Sequence, residues 1–585
     1  MSGVSETARL NIARRLRDAA VKYPHQRAVV FSAGRDRDGR RCYTQLTFAQ
    51  LDRESDRLAR GLCRMGVMPR TRLVLMVPPS LEYIALTFAL FKTGAVIVLI
   101  DPGMGRSHIF RCLEEVEPDG FVAIPLVQAI RALKRNKFPR ARINVTVGRR
   151  WLWGGMTYRE VLGEEWSPFE MADTFASDPA AIIFTSGSTG PPKGVLYEHG
   201  MFDAQVNLIQ RQYGIEPGEV DLSGFPLFAL FNAAMGVTTV VPDMNPMRPA
   251  DVNPQNIVEA IRDQGVTQAF GSPALWNRVG RYCETEAITL PSLRRVLAAG
   301  APVPLHVVQR MRKALCRDGA DIHTPYGATE ALPVCSISGR EVIEQTAART
   351  RKGAGVCVGR PFPQISRKII EITDGPIQSL DAVRELPAGE IGEIIVHGPS
   401  VTREYFRHPD DTAMAKIPDD DGFWHRMGDV GYIDDDGSLW FCGRKAHIVE
   451  TKDGRMFPIP CEAIFNEHPR VCRSALVGVG SKPKQTPVIV VEPESGSFPT
   501  AENDRQRFAH ELLKLAAENP KTAAIEHVLF HRSLPVDTRH NVKIARIALA
   551  AWAADRLPNM PDRNSSSAST IARTRAETIQ QEIIR

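Results

Sequence analysis

The chain has 585 residues, 43% hydrophobic and 24% charged, enough for two or more globular domains with full-sized cores. Its formal net charge of +6 reads as scattered arginine rather than a basic stripe, which gives nucleic-acid binding little support. Ten cysteines lie dispersed from Cys42 to Cys472 with no CxxC pair and no Cys/His cluster, which argues against a disulfide framework or a zinc site and fits reduced thiols in the cytoplasm.

Residues Met1 to Tyr23 alternate Arg with apolar residues and lack an apolar h-region, so they do not read as a signal peptide. Residues 9–22 read as an amphipathic helix with Ile12, Leu16 and Ala19 on one face. Arg27 to Phe31 is a short strand. Thr47 to Gly66 is a helix: Thr47 and Gln50 form a capping-box pattern, Leu51, Leu58, Leu62 and Met65 make the stripe, and Gly66 is placed to end it.

Leu73 to Ile100 is apolar enough to resemble a membrane span, but Pro78-Pro79, Glu82, Lys92 and Gly94 interrupt it. A spanning helix needs about 20 continuous apolar residues. The stretch reads instead as strand 73–77, helix 80–92 and strand 95–100, with strands apolar throughout, as parallel strands covered on both faces are. Strand 120–124, helix 126–135 and strand 143–147 continue the alternation.

Next comes the stretch the chain is organised around. An apolar run, Ala181-Ile182-Ile183-Phe184, feeds Thr185-Ser186-Gly187-Ser188-Thr189-Gly190-Pro191-Pro192-Lys193-Gly194 and then Val195-Leu196-Tyr197, a second strand. Four hydroxyls, a lysine and glycine-freed backbone N–H groups make a cradle for phosphate. It is not a Walker A loop, because Gly194 rather than Ser or Thr follows Lys193 and no helix opens there. A surface hairpin would use Ser, Gly and Pro too, but has no need of four hydroxyls and a lysine between two buried strands.

Beyond it, helix 254–264, strand 267–271, helix 274–283, strand 294–299, helix 304–317 and strand 321–325 predict an α/β architecture with largely parallel sheets. After about Ala354, short strands at Glu390–His397, Val430–Ile433 and Leu439–Phe441, separated by turns such as Asp436-Gly437, suggest an antiparallel subdomain. A last α/β segment runs from about Arg444 to Leu557. The tail from residue 558, with Asn564-Ser565-Ser566-Ser567-Ala568-Ser569, has a disordered composition.

Taken in order, the motifs resemble those of the adenylate-forming superfamily of acyl-CoA synthetases, luciferases and peptide-synthetase adenylation domains. The phosphate loop, Thr185 through Gly190 with Lys193, comes first. Ala299-Gly300-Ala301-Pro302 resembles its adenine-side loop. In Thr324-Pro325-Tyr326-Gly327-Ala328-Thr329-Glu330, the resemblance implies that Tyr326 stacks on adenine beside Gly327, that Thr329 contacts phosphate and that Glu330 holds Mg²⁺. In Trp424-His425-Arg426-Met427-Gly428-Asp429, Asp429 would bind both ribose hydroxyls, a role a carboxylate suits. Arg444 would also meet ribose and mark the junction between domains. Lys543, in Asn541-Val542-Lys543-Ile544-Ala545-Arg546, matches the lysine that bridges acyl carboxylate and α-phosphate, although the usual Ser-Gly before it is Asn541-Val542. The implied catalytic set is Lys543, Glu330 and Thr185, and the implied cofactors are ATP and Mg²⁺. The implied domains are 1–443 for adenylation and a small mobile 444–557, with 558–585 as tail.

Two positions depart from the superfamily. The histidine usual after a Pro-Leu-Phe segment is Ala229, and the hinge position two residues after Arg444 is Ala446, followed by His447. Both are tied to thiol attack in thioester-forming members. Other stretches, among them Leu99-Ile100-Asp101-Pro102-Gly103-Met104-Gly105, Phe270-Gly271-Ser272-Pro273-Ala274-Leu275 and Phe441-Cys442-Gly443-Arg444-Lys445-Ala446-His447, resemble the β-lactone synthetases of bacterial long-chain olefin biosynthesis over about residues 10–557. That branch implies adenylation of a long-chain β-hydroxy fatty acid, then closure to a β-lactone, with other enzymes of the olefin pathway as partners. Phe225, Leu227, Phe228, Leu230, Phe231 and Met235 are candidates for the acyl pocket, and core packing accounts for them equally. A plain fatty acid–CoA or acyl-carrier ligase and a non-catalytic acyl or nucleotide sensor are the alternatives. His199 and His425 lie within matched motifs, and neither is assigned as the base for ring closure.

Overall fold

The structure is a computed structural model that describes residues 8–164, 166–184, 191–225, 228–420, 422–536 and 544–557. The chain divides into two compact units. The first is Met1–Ile343 with Val358–Pro387 and Ile394–Met427; the second is Glu344–Cys357 with Ala388–Glu393 and Gly428–Arg585.

The first unit holds the expected strand-helix-strand repeats. Arg72–Met76, Leu81–Lys92 and Val96–Leu99 form the first, and the two strands pair in parallel. They sit in a seven-stranded sheet ordered Met156–Thr157, Ile143–Thr146, Gly120–Ala123, Arg72–Met76, Val96–Leu99, Pro179–Phe184, Gly194–Glu198. All neighbours are parallel except the last pair. The helix Phe48–Arg64 starts at the Thr47–Gln50 capping box. Lys92, which interrupts the membrane-like stretch, is fully buried and holds Asp52 at 2.5 Å and Asp56 at 2.6 Å. Arg17 reaches the same two carboxylates at 2.7 and 2.6 Å. Among the described residues no helix is long and apolar enough to cross a membrane.

A second run of strands in this unit reads Ala331–Ser338, Asp321–Ala328, Arg295–Ala298, Gln268–Gly271, Val220–Ser223, Thr238–Val241, Arg27–Arg35, Arg41–Thr47, parallel in its middle and antiparallel at both ends. Leu222, Val240, Trp276, Val296 and Ile322 form part of its core. The sequence pattern leaves residues 198–253 unassigned. The structure places there the helices His199–Tyr213 and Phe228–Met235 and the strands Val220–Ser223 and Thr238–Val241. The helix His199–Tyr213 is buried nearly all round, so it lacks the amphipathic stripe that marks a surface helix.

In the second unit, Val471–Val479 and Thr486–Pro493 pair antiparallel and His527–Phe530 adds in parallel. The helices Pro458–Phe465 and Glu502–Ala517 pack over this sheet around Leu476, Ile489 and Phe508, and Arg546–Ala554 contributes Leu549 and Ala553 to a second cluster. Residues 429–433 form a hairpin with Leu439–Arg444.

One buried carboxylate in the first unit sets a pH dependence. Asp221 is fully buried; its Oδ2 accepts from Ser223 Oγ at 2.5 Å and Asn232 Nδ2 at 2.7 Å, and its Oδ1 has no partner. Burial pushes its carboxyl up to about 6, against those hydrogen bonds. The folded state therefore holds this proton more tightly than the unfolded chain, so the contribution is complete below the unfolded value and is lost as pH rises through about 6. On that shift the ionised form costs on the order of 3 kcal/mol at pH 8. Asp221→Asn is expected to gain melting temperature relative to wild type between pH 5 and pH 8. A difference that stays flat across that range, measured by calorimetry, contradicts the assignment.

Candidate active site

The strand that begins at Asp321 does not end at residue 325, as its sequence pattern has it. It continues through Tyr326 to Ala328 and folds back onto Ala331–Ser338, with Tyr326 opposite Cys335 and Ala328 opposite Ala331. Thr329 and Glu330 are left as the turn. Gly327 permits the close approach, because a Cβ there would stand 2.7 Å from the Ala331 carbonyl and 2.9 Å from Leu332 Cδ1.

The turn is gripped from outside. Tyr197 donates its hydroxyl to the Thr329 carbonyl at 2.5 Å. Thr402 donates both its N–H and its Oγ1 hydroxyl to the Glu330 carbonyl, at 2.9 and 3.0 Å. Tyr405 donates its hydroxyl to Glu330 Oε1 at 2.9 Å. The same segment lies along the strand Gly194–Glu198: Phe406 N–H donates to the Gly194 carbonyl at 2.7 Å and Leu196 N–H to the Glu404 carbonyl at 3.2 Å. Lys193, just before that strand, places its ammonium 5.2 Å from the centre of the Tyr405 ring and 2.5 Å from Asp411 Oδ1. Tyr405 thus touches the Lys193 ammonium with its face and the Glu330 carboxylate with its hydroxyl.

Behind this turn sits Lys416, 8% exposed, donating to the Thr402 carbonyl. Burial pulls its ammonium down to about 7, and the Glu330 charge opposes that shift. Lys416 pairs across strands with His425, whose imidazole burial and then the Lys416 charge hold well below its ordinary value. His199 is also buried; its Nδ1 accepts from Ile12 N–H at 3.3 Å, and desolvation lowers it to about 4. Burial thus favours the neutral imidazole at both positions, and His199 has its Nδ1 lone pair engaged in the core.

Gly300 has φ of +95°, a conformation that favours glycine, just past the carboxyl end of the strand Arg295–Ala298. That strand lies parallel beside Asp321–Ala328, Leu297 opposite His323, so the Gly300-Ala301-Pro302 loop and Tyr326, within its strand, both lie toward the carboxyl ends of neighbouring strands. Ligands in open α/β sheets bind at those ends. Phe225 is half-buried with its ring 6.2 Å from Phe270, while Leu230, Phe231 and Met235 are buried and Phe231 lies 6.5 Å from Phe202. Leu227, the side chain of Phe228, residues 185–190 and Lys543 lie outside the described residues.

In the second unit, Asp429 and Arg444 face each other across the hairpin, with Arg444 NH1 3.0 Å from Asp429 Oδ1 and the carboxylate 4% exposed. Ala446 lies in the turn Lys445–His447, where Lys445 pairs with Glu393 at 3.1 Å. The flanks of Lys543 are anchored: Val536 bridges Ile544, Ala545 N–H donates to the Pro535 carbonyl at 2.8 Å, and Arg546 grips Glu462 with NH1 at 2.5 Å and NH2 at 3.0 Å.

Sequence reading missed Tyr197, Thr402, Tyr405, Asp411 and Lys416. The usable signal is weak: an aromatic pair, Tyr405-Phe406, within the polar stretch 402–411.

The AMP-binding enzyme family matches residues 16–406. The chain is 46% identical to the olefin beta-lactone synthetase of Xanthomonas campestris over 555 residues, 94% of this chain and 98% of that one. It is 45% identical to the olefin beta-lactone synthetase of Stenotrophomonas maltophilia over 556 residues, with the same coverage. The amide bond synthetase of Marinactinospora thermotolerans superposes with a TM-score of 0.74 over 93% of this chain and 99% of that one, at 24% identity, which speaks to fold alone. The chain belongs to the AMP-binding enzyme family and, within it, to the family of the olefin β-lactone synthetases.

Proposed function

We propose that this protein adenylates a long-chain β-hydroxy fatty acid with ATP and then closes the acyl adenylate to a β-lactone. The observation that carries the reading is the identity of 45–46% along 94% of the chain to two olefin β-lactone synthetases. In the first step a carboxylate oxygen attacks the α-phosphorus and pyrophosphate leaves. In the second the substrate's own β-hydroxyl oxygen attacks the acyl carbon, its proton is lost and AMP leaves. Ring strain opposes closure, but tethered attack reaches effective molarities of roughly 10⁵–10⁸ M. Neither a thiol nor a large domain switch between the two steps is needed, in keeping with Ala229 and Ala446.

Tyr326 stacks on adenine beside the Gly300-Ala301-Pro302 loop, and Gly327 admits the base. Thr185, Ser186, Gly187, Ser188, Thr189, Gly190, Lys193 and Thr329 bind phosphate, and Asp429 and Arg444 bind ribose. Residues 444–557 act as the mobile small domain that brings Lys543 to the α-phosphate, and the acyl chain lies along Phe225, Leu227, Phe228, Phe231 and Met235.

Glu330 is the residue that would hold Mg²⁺. The donor set fits: it is a single carboxylate, one oxygen oriented by Tyr405, and among the described residues no group of three or more His, Cys, Asp or Glu would hold a metal by itself. Mg²⁺ takes one or two carboxylates and fills its remaining positions with substrate phosphate and water. When bound it neutralises phosphate charge; Glu330 orients that charge and Tyr405 orients Glu330.

Tyr405→Phe keeps the ring under Lys193 and removes only the hydroxyl. The Mg²⁺ concentration for half-maximal pyrophosphate exchange into ATP is expected to rise about tenfold, with melting temperature unchanged. An unchanged Mg²⁺ requirement removes Tyr405 from this role.

Lys543→Ala is expected to slow adenylation by roughly 10²–10³-fold while ATP affinity changes only a few-fold, because its attraction grows as charge develops at phosphorus. Equal losses in rate and ATP binding would make it a ground-state contact.

With ATP, Mg²⁺ and a long β-hydroxy acid, mass spectrometry is expected to find β-lactone without CoA, and a plain fatty acid is expected to stop at bound acyl-AMP. Acyl-CoA from plain acids at matching rates, with no lactone when CoA is left out, would replace this reading with the ligase one.

A further inference from the structure

The positive charge is not scattered, as the sequence reading has it. Residues 120–159 hold nine Lys and Arg and no Asp or Glu. That is +9 against +6 for the whole chain, which leaves −3 for everything else. The cations are spread over a helix, a turn and the loops that follow them.

The same stretch exposes apolar side chains. The helix Pro125–Leu133 turns Leu126, Ile130 and Leu133 to water at 66, 40 and 84% exposure, one stripe at i, i+4 and i+7. The loop after the strand Ile143–Thr146 presents Trp151 at 70% and Leu152 at 104%, so Leu152 stands wholly clear of the protein. The two elements are fastened together. A Cβ on Gly148 would lie 3.4 Å from Pro125 Cγ, Arg131 donates to the Trp153 carbonyl at 2.9 Å, and Trp153 donates to Thr146 Oγ1 at 3.1 Å. Trp151 stacks on Trp153 with ring centroids 6.2 Å apart and planes 8° apart. Five of the eleven large apolar side chains exposed among the described residues fall in this one place.

Exposed cations lie in the same stretch of chain. Lys134, Arg135, Arg142 and Arg149 are exposed and have no carboxylate partner among the described residues. Lys137, Arg140 and Arg150 are exposed as well and pair with Glu114, Asp119 and Glu160.

We propose that this face, Leu126, Ile130, Leu133, Trp151 and Leu152 with Lys134, Arg135, Arg142 and Arg149, docks the protein on an anionic lipid bilayer. The apolar tips enter the headgroup layer, tryptophan sits at the interface it favours, and the unpaired cations meet lipid phosphate. Nucleic acid is the poorer match, since its phosphates offer nothing to a stripe of Leu and Ile or to a leucine standing free in water. A protein partner would need a pocket shaped to these convex tips; a bilayer accepts them without one.

The place also suits a bilayer as source of an acyl substrate. The strands Gly120–Ala123 and Ile143–Thr146 lead into this face, and Pro179–Phe184 leads into the phosphate-loop stretch, all three in one parallel set. The strand before the docking helix and the strand before that stretch are three spacings apart, about 15 Å.

The test is flotation of the full chain with vesicles of phosphatidylcholine alone and of phosphatidylcholine with phosphatidylglycerol. Wild type is expected to bind the anionic vesicles about tenfold more tightly, with binding weakened by salt. Leu133→Ser with Leu152→Ser is expected to lose about tenfold in partition, while melting temperature and pyrophosphate exchange with a water-soluble acid stay unchanged. Arg135→Glu with Arg149→Glu is expected to lose the preference for phosphatidylglycerol. No binding to either vesicle, or equal binding by wild type and both double variants, overturns the proposal. So does retention by DNA or by a soluble protein, abolished by the same variants, when vesicles bind nothing.

Discussion

The candidate site in the first unit depends on how one two-residue turn is held. Thr329 and Glu330 close a hairpin whose arms approach too closely for any residue but glycine at 327. Carbonyls removed from water need donors, and here the donors come from side chains and main chain distant in sequence: Tyr197, Thr402 and, on the carboxylate, Tyr405. Because residues 404–406 also bond to the strand that follows Lys193, one segment sets the positions of a cation and an anion together. The short tether matters physically. An electrostatic contribution to a developing charge is largest when the groups supplying it do not have to move to supply it.

Buried charge elsewhere in the unit serves packing. Lys92 has no exposed surface, and two carboxylates with a second cation, Arg17, surround it. An unpaired ammonium there would be strongly destabilising, whereas the paired network fastens the helix Leu81–Lys92 to Phe48–Arg64. Asp221 is the contrasting case, a carboxylate with hydrogen bonds on one oxygen, none on the other and no direct cation. Its carboxyl is pushed up because desolvation outweighs the hydrogen bonds from Ser223 and Asn232 and the charge of Arg295.

A lactone-forming enzyme and the proposed bilayer-docking face are compatible in one molecule. The proposed reaction carries its nucleophile within the substrate, so the protein has to hold a long chain and protect an activated carbonyl, not admit a third reactant. A docking face outside the adenylation machinery would shorten the time such a chain spends in water.

Local features were legible from sequence alone. The Thr47–Gln50 capping box, the parallel strand-helix-strand units and the break of the membrane-like stretch at Lys92 each depend on residues within a few positions of one another, so pattern and spacing state them directly. The family motifs were legible for the same reason, as unbroken strings such as Thr324 through Glu330. Tertiary structure alone decided that Tyr326 lies within a strand, since that depends on an antiparallel partner whose approach is set by Gly327. It decided that the buried helix His199–Tyr213 exists, since a helix that buries His199, Asp203 and Gln205 along with its apolar residues has no clean periodic signature. It also decided that Tyr405 meets Glu330, 75 positions away, and that Leu126 shares a face with Leu152 and Arg149. Contacts over such separations follow from how strands order in a sheet, and the sequence near either partner carries no trace of the other.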